Sequence, residues 1–408
     1  MIPPSTLHRH LARMAQLHPR YAELLTELGI TIHTASFTEL PLLTSQRLES
    51  IYYGQEARSD AGLTVYRTSG TSTGISRAIY YSPEDEVHYQ HAKKISYREW
   101  LQATPMQTPI SKAFADVGTG HAASTAVDIF SELGLQTESI SFAEPIPVHV
   151  ERLAAYRPDL LYTMPSILEG IAREADDPAS LGIRKIILVG EVASPAWQAN
   201  MAARFGMNTL DILDTYGSIE VGAIAAYSHQ HNAYLLSEGL YAESLPSQQL
   251  GAEFEPLAAD EGVLVLTSLR RTLFPVIRYV TYDVIRDLHT IEVDGKPRQA
   301  FRCIASRIGT ELKHGEKISL YDIENVVHAF VQDAELRVRV RDNKLAVYIR
   351  SSLLRDEHLP AIRHSIEHKI PAIGQMIAGR MLEPIEVIRL ANHESWAQGS
   401  VKSKKLFS

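Results

Sequence analysis

Cysteine is all but missing from this chain: Cys303 is the single one in 408 residues. A lone thiol excludes an intrachain disulfide, a cysteine-built zinc site and Cys-x-x-Cys redox chemistry within one copy. Long hydrophobic runs are missing too. Nowhere do about 18 apolar residues follow one another, so no transmembrane helix is expected. Near the N-terminus, Leu7, Leu11, Met14, Leu17, Leu24 and Leu25 are spaced for a helix face but interrupted by His, Arg and Pro. The unbroken apolar segment of a secretory signal is therefore not there. Nor is there an excess of positive charge: 40 lysines and arginines stand against 48 aspartates and glutamates, a formal net charge of −8. That balance argues against a nucleic-acid partner, and the lysines close to the C-terminus are too few to reverse it. Internal repeats and low-complexity stretches are absent. The expectation is a soluble cytoplasmic protein with neither a nucleic-acid nor a membrane partner.

What is present is an ordinary globular composition, 45% hydrophobic and 22% charged, with length for two or three domains. The segment Leu63-Thr64-Val65-Tyr66-Arg67 reads as a short strand, and Ala78 to Tyr81 as another, with a loop of hydroxyls and glycines between them. From Ser111 to Leu188 strand-like runs alternate with helical ones, the signature of a layered α/β domain. From Gly262 strands dominate. Beyond Arg307 comes an α+β stretch in which Leu336, Val338 and Val340, then Leu345, Val347 and Ile349, alternate with other residues around Asp342-Asn343, which reads as a hairpin. A helix around 360–369 and a strand at 385–390 follow. A boundary near Ser306 gives two domains, 1–306 and 307–408.

Four segments carry candidate chemistry. Thr68, Ser69, Gly70, Thr71, Ser72, Thr73 and Gly74 offer converging backbone and hydroxyl donors with little steric obstruction, which is what a phosphate chain requires. The Gly-Lys-Ser/Thr ending of a Walker A loop is lacking, so a P-loop NTPase is a poor match, and a plain surface turn is the alternative. Asp214-Thr215-Tyr216-Gly217-Ser218-Ile219-Glu220 presents a stacking face followed by a carboxylate that could bind a metal. Arg278-Tyr279-Val280-Thr281-Tyr282-Asp283 reads as a strand ending in a carboxylate suited to a ribose diol. The fourth, Gly399 to Lys405, is lysine-rich, and terminal lysines mostly solubilise.

Taken in order, these segments resemble the adenylate-forming (AMP-forming acyl/aryl ligase) superfamily, in particular its phenylacetate–CoA ligase-like branch. Residues 68–74 resemble the family's T-S-G-T-T-G-x-P-K phosphate loop, 214–220 its D-x-Y-G-x-x-E, 162–166 the branch's T-P-S, and Gly190-Glu191 its Gly-Glu. Arg278 to Asp283 resembles R-Y-x-T-x-D. Arg307, Gly315 and Glu324 fall where the family's small domain begins, and Ser400-Val401-Lys402 resembles its terminal S-x-G-K.

The resemblance implies an α/β fold, a large layered adenylation domain with a small mobile α+β lid, and formation of an acyl-adenylate and pyrophosphate from a carboxylic acid, ATP and Mg²⁺. It implies phosphate contacts from residues 68–74, Mg²⁺ at Glu220, adenine between Tyr216 and Gly190-Glu191, with Asp214 close by, and the ribose on Asp283 with Arg307 near. Lys402 is implied between the substrate carboxylate and the α-phosphate, where two anions must meet. This chain departs from the pattern in several places. The phosphate loop is one residue longer and ends Ile75-Ser76-Arg77, making Arg77 the candidate phosphate cation in place of lysine. Gly309 stands where an aspartate hinge is common, and Val401 replaces a glycine.

The acid pocket is implied near Asp116, Thr119, His121, Thr163, Ser166, Gly217 and Ser218. So polar a set favours a hydroxylated aromatic acid, such as a catecholate for siderophore or other secondary metabolism, because unpaired buried polar groups are costly. Asp116 and His121 satisfying one another, or nearby backbone, is the competing expectation. For the acceptor, a carrier-protein pantetheine, coenzyme A and an amine are all chemically open, with a thiol favoured. An acyl-protein synthetase for a fatty acid and a non-catalytic nucleotide-binding homologue are the remaining alternatives.

Overall fold

A computed structural model describes residues 2–55, 62–67, 77–117, 121–251, 254, 256–308, 318–341, 343–380, 382–391 and 406–407. The chain forms a mixed α/β structure of two compact units, each built from separate pieces of sequence: 1–105 with 215–303, and 106–214 with 304–408.

In the first unit, the strands Thr64–Arg67 and Ala78–Tyr81 pair antiparallel, with Arg67 opposite Ala78. The expected strand–loop–strand arrangement thus brackets residues 68–76, which lie outside the described residues. The long helix Pro83–Ala103 follows at once, and its start is dictated locally. Ser82 caps it, accepting from the Asp85 amide, Asp85 returns a bond to the Ser82 amide, and Pro83 takes the first turn, where its missing N–H costs nothing. The strands Leu240–Leu245, Glu261–Ser268 and Tyr279–Arg286 form an antiparallel set. Val263, Leu264, Val265, Leu266, Val280, Val284 and Ile285 on it are fully buried. Pro275, Val276 and Ile277 precede the last of these strands instead of starting it.

The second unit holds a parallel sheet. Gln136–Ser141, Lys112–Val117, Leu160–Thr163, Lys185–Leu188 and residues 212–214 lie in that order. Its inner strands read Leu-Leu-Tyr-Thr and Lys-Ile-Ile-Leu and are buried throughout, as strands covered on both faces must be. The helices Ile146–Tyr156, Pro165–Glu174 and Pro195–Arg204 supply Leu153, Leu168, Ile171, Trp197 and Met201 to a core shared with Phe114, Leu161, Ile186 and Leu188. Residues beyond 304 form a second sheet ordered Glu386–Arg389, Lys344–Arg350, Glu335–Arg341, Leu406–Phe407. The expected hairpin is there, with Arg341 opposite Lys344. Helices Leu320–Phe330, His358–Lys369 and Pro371–Ala378 complete a separate core running from Ile318 to Ile385. No described helix is long and apolar enough to cross a membrane.

Candidate active site

In the second unit the polar candidates gather at one edge of the parallel sheet. Asp116 pairs in register with Thr163, Thr163 with Leu188, and Leu188 with Asp214. One row across four strands therefore brings together residues spread over about a hundred positions of sequence, at the carboxyl ends where open α/β sheets bind ligands. Gly190 and Glu191 follow the third of these strands after Val189. Gly190 has φ +81°, a conformation costly for any residue with a Cβ.

Each member of the row has its own surroundings. Asp116 is fully buried and its Oδ2 lies 2.7 Å from His149 Nδ1, while His149 Nε2 lies 2.9 Å from the Glu144 carbonyl. A carbonyl accepts only, so Nε2 carries a proton. The proton between Nδ1 and Asp116 then belongs to an imidazolium or to a carboxylic acid, and the pair is neutral either way. Burial pushes the Asp116 carboxyl above the ordinary carboxylate range, against the pull of His149. Burial also draws His149 down, but its bond to Asp116, that carboxylate's charge and the Glu144 carbonyl outweigh it and hold His149 above the ordinary imidazole value. Asp116 Oδ1 and Thr163 Oγ1 are buried without a hydrogen-bond partner among the described residues.

Ser166 and Glu191 are brought together as well: the Ser166 amide and hydroxyl donate to the two Glu191 oxygens at 2.8 and 2.9 Å. The helix Pro165–Glu174 has no side-chain cap of its own, and Glu191 supplies one from outside, a carboxylate at the positive end of the helix dipole. Asp214 is buried and accepts from Gln198 at 3.4 Å. Arg307 ends the strand Cys303–Arg307, exposed.

The first unit carries the other candidates. Tyr216, two residues after Asp214 on the strand Ile212–Ser218, donates its hydroxyl to Asp283 at 2.5 Å. Asp283 follows Tyr282, whose φ is +65°, and Arg278 at the other end of the motif has φ +44°. Such strained backbone persists only where its surroundings over-determine it. Here Arg278 is gripped by Glu243 at 2.9 and 3.1 Å and by the Leu40 carbonyl at 2.8 Å. Gly217 and Ser218 lead into the turn that bears Glu220. A Cβ on Gly217 would stand 2.7 Å from the Gly222 carbonyl oxygen, so the turn closes only with glycine there. Arg77 pairs with Glu49, and its guanidinium carbon lies 4.5 Å from the centre of the Tyr53 ring. Glu49–Tyr53 is a π-helical turn, a rare geometry that recurs at functional sites. Burial above all, then the negative charge of Glu220, pushes the Tyr53 phenol well above its usual range, against Arg77. Glu220 and Arg77 therefore act on one phenol.

Sequence reasoning missed His149, Gln198, Glu49, Tyr53, Asp85 and Arg271. Only Asp85 left a local signal, and that signal reads as a helix cap. Thr119 lies outside the described residues, as do residues 68–74, Gly315 and Lys402, and His121 is described only as the start of the helix His121–Glu132.

Across 371 residues, 90% of this chain and 91% of the relative, the sequence is 33% identical to the fumarate–(S)-2,3-diaminopropanoate ligase of Enterobacter agglomerans. The chain belongs to the adenylate-forming, AMP-producing ligases. Residues 313–392 match the family described as the fumarate–diaminopropanoate ligase C-terminal domain. Among solved structures, 2-hydroxyisobutyryl-CoA ligase in its postadenylation state aligns with a TM-score of 0.71 at 16% identity, covering 99% of this chain and 88% of that one. The amide bond synthetase McbA from Marinactinospora thermotolerans aligns at 0.51 and 15% identity, covering 82% of this chain and 68% of that one. At those identities the likeness is one of fold.

Proposed function

We propose that this protein activates a small carboxylic acid as its acyl-adenylate and passes the acyl group to an amine of an amino acid, forming an amide. The near full-length identity to a ligase named for joining fumarate to 2,3-diaminopropanoate carries this reading. The site's geometry supports it against a hydroxylated aromatic acid. Ser166 is met by Glu191 and Asp116 Oδ2 by His149, so one polar group that called for a substrate hydroxyl is already satisfied inside the protein and a second is half satisfied. The neutral Asp116–His149 pair would also not repel a second carboxylate on a small dicarboxylic acid.

In this reading the 68–74 segment and Arg77 hold the triphosphate of ATP, Tyr216 and Gly190 flank the adenine, and Asp283 accepts from the ribose with Arg307 nearby. Glu220 binds Mg²⁺. Its carboxylate makes no hydrogen bond or ion pair with the described residues, and no cluster of three acidic, histidine or cysteine residues occurs among them. One free carboxylate suits an ion that keeps most of its ligands as water and phosphate oxygen. Bound there, Mg²⁺ would neutralise charge on the phosphates. Residues 307–408 serve as the lid that delivers Lys402.

The test is acid-dependent ATP–pyrophosphate exchange with fumarate, succinate, benzoate, dihydroxybenzoate and octanoate, followed by product analysis with diaminopropanoate and with coenzyme A. Exchange with a small dicarboxylic acid and an amide product are expected. Exchange with the benzoates alone would overturn the acid assignment, and a thioester product the amine.

A further inference from the structure

The turn that carries Glu220 is held from both sides by groups that hydrogen-bond its backbone and not its carboxylate. The carbonyl before it, on Ile219, accepts the Tyr81 hydroxyl at 2.8 Å. The carbonyl of Glu220 itself accepts Arg271 Nε at 3.1 Å. Both peptide planes flanking the Glu220 Cα are thereby pinned, and only the side-chain torsions remain free.

The pinning group is itself held through each of its three nitrogens. Arg271 is 4% exposed. Its Nη2 donates to the Tyr80 carbonyl at 2.6 Å, its Nη1 to Asp85, and its guanidinium carbon lies 3.7 Å from the centre of the Tyr81 ring. Asp85, 2% exposed, also accepts from the Thr272 amide at 2.8 Å, the Thr272 hydroxyl at 3.0 Å and the Leu273 amide at 3.2 Å. The guanidinium thus joins the start of the helix Pro83–Ala103, the strand Ala78–Tyr81 and the Glu220 turn. Only a planar fork with donors on three edges can do this, and a lysine ammonium cannot. A packing role would account for the buried Arg271–Asp85 pair alone. It would not account for both hydroxyl and guanidinium bonds converging on the backbone around a carboxylate that has no hydrogen-bond partner among the described residues.

We propose that Arg271, held by Asp85 and assisted by Tyr81, is a positioning residue that presents the Glu220 carboxylate to the cation accompanying ATP. This rests on the reading of Glu220 as the metal-binding carboxylate. Groups that orient a metal ligand typically contribute about 10–100-fold to metal affinity.

The experiment measures ATP binding to the full-length protein by calorimetry across a Mg²⁺ titration, for wild type, Glu220→Gln, Arg271→Lys, Tyr81→Phe and Glu220→Gln/Arg271→Lys. Arg271→Lys is expected to raise the Mg²⁺ concentration for half-maximal ATP binding by about 10-fold, and Tyr81→Phe by less, while the KM for the acid stays within about twofold. Added to Glu220→Gln, Arg271→Lys should shift it no further, because both act through one carboxylate. If Glu220→Gln shifts the Mg²⁺ dependence but Arg271→Lys and Tyr81→Phe do not, the positioning role is overturned and Glu220 stands. If Glu220→Gln leaves it unchanged, the reading of Glu220 falls and the inference with it. Tyr81→Phe loses a single hydroxyl and keeps the test open should Arg271→Lys not fold.

Discussion

Gly217 shows how narrow the tolerance is around the Tyr216–Glu220 turn. With a Cβ at 2.7 Å from the Gly222 carbonyl, Gly217→Ala must push two strands apart. The expected cost is about 1–3 kcal/mol of stability, visible as a lower urea midpoint, together with weaker ATP binding. Lys402 presents the opposite case, since it lies outside the described residues and its role rests on its place in the terminal motif. Two anions must approach one another during adenylation, and a fixed cation aimed at them lowers that barrier. Lys402→Ala is therefore expected to slow adenylation by at least ~10²-fold while ATP binding persists. A near-wild-type rate would pass the role to Lys404 or Lys405. Single residues could be singled out in the sequence where one short motif carries them, as with Tyr216, Glu220 and Asp283, and the structure joins the first and last of these by a hydrogen bond. Arg271 was not legible, because its partners lie 51, 186 and 191 positions away.

At the scale of elements, the strands of the parallel sheet announced themselves as aliphatic runs, while the helix caps at Ser82, Ser194 and Ser319 emerge from the structure. Which elements meet was not announced. Asp116 on one strand finds His149 on the helix Ile146–Tyr156, where the sequence had offered His121 or nearby backbone as its partner. Both groups hold their protons more tightly folded than unfolded. Their contribution is therefore complete at low pH. Because the two share one proton, that contribution is lost as pH rises past the ordinary imidazole value, about 6.5, through the raised value of the pair. Against an Asp116→Asn/His149→Gln variant, the wild-type advantage in urea denaturation should narrow as pH rises above the ordinary imidazole value of about 6.5. A constant gap would show that the pair does not titrate.

A second set of charges, buried except for the exposed Arg173, joins the helix Pro165–Glu174 to the second sheet. Glu335 is 7% exposed at its side chain and meets Arg173 at 3.0 Å and Arg350 at 3.2 Å, while Glu169 lies 3.7 Å from Arg337. Glu335→Gln leaves two arginines facing a neutral amide. The expected loss is about 3 kcal/mol, the scale of breaking a buried pair, measured by urea denaturation, and a loss within error of zero would show that the arginines find other partners.

For the whole molecule, the chain crosses between its two compact units three times. The change in composition near Ser306 marks one crossing, where strand-rich sequence gives way to α+β sequence. Nothing in composition marks the crossing after Asp214, which falls inside a single strand whose first residues pair parallel with Lys185–Leu188 and whose last pair antiparallel with Gly222–Ser228. The core from Ile318 to Ile385 draws all its members from one continuous stretch. A fragment of residues 304–408 should accordingly fold alone with a cooperative thermal transition, while a gradual, non-cooperative melt would show that it depends on residues 106–214.

The sequence by itself determined the chemistry on offer, the α/β class and the family, because motifs and hydrophobic periodicity act over a few residues and are written contiguously. The tertiary structure alone decided which polar groups are already satisfied, that Asp116, Thr163 and Asp214 lie in one row, and that Arg271 grips the Glu220 turn. Those outcomes depend on strand order and on contacts between distant segments. Hydrogen-bond geometry and burial select them only once the chain has closed on itself, so no local pattern encodes them.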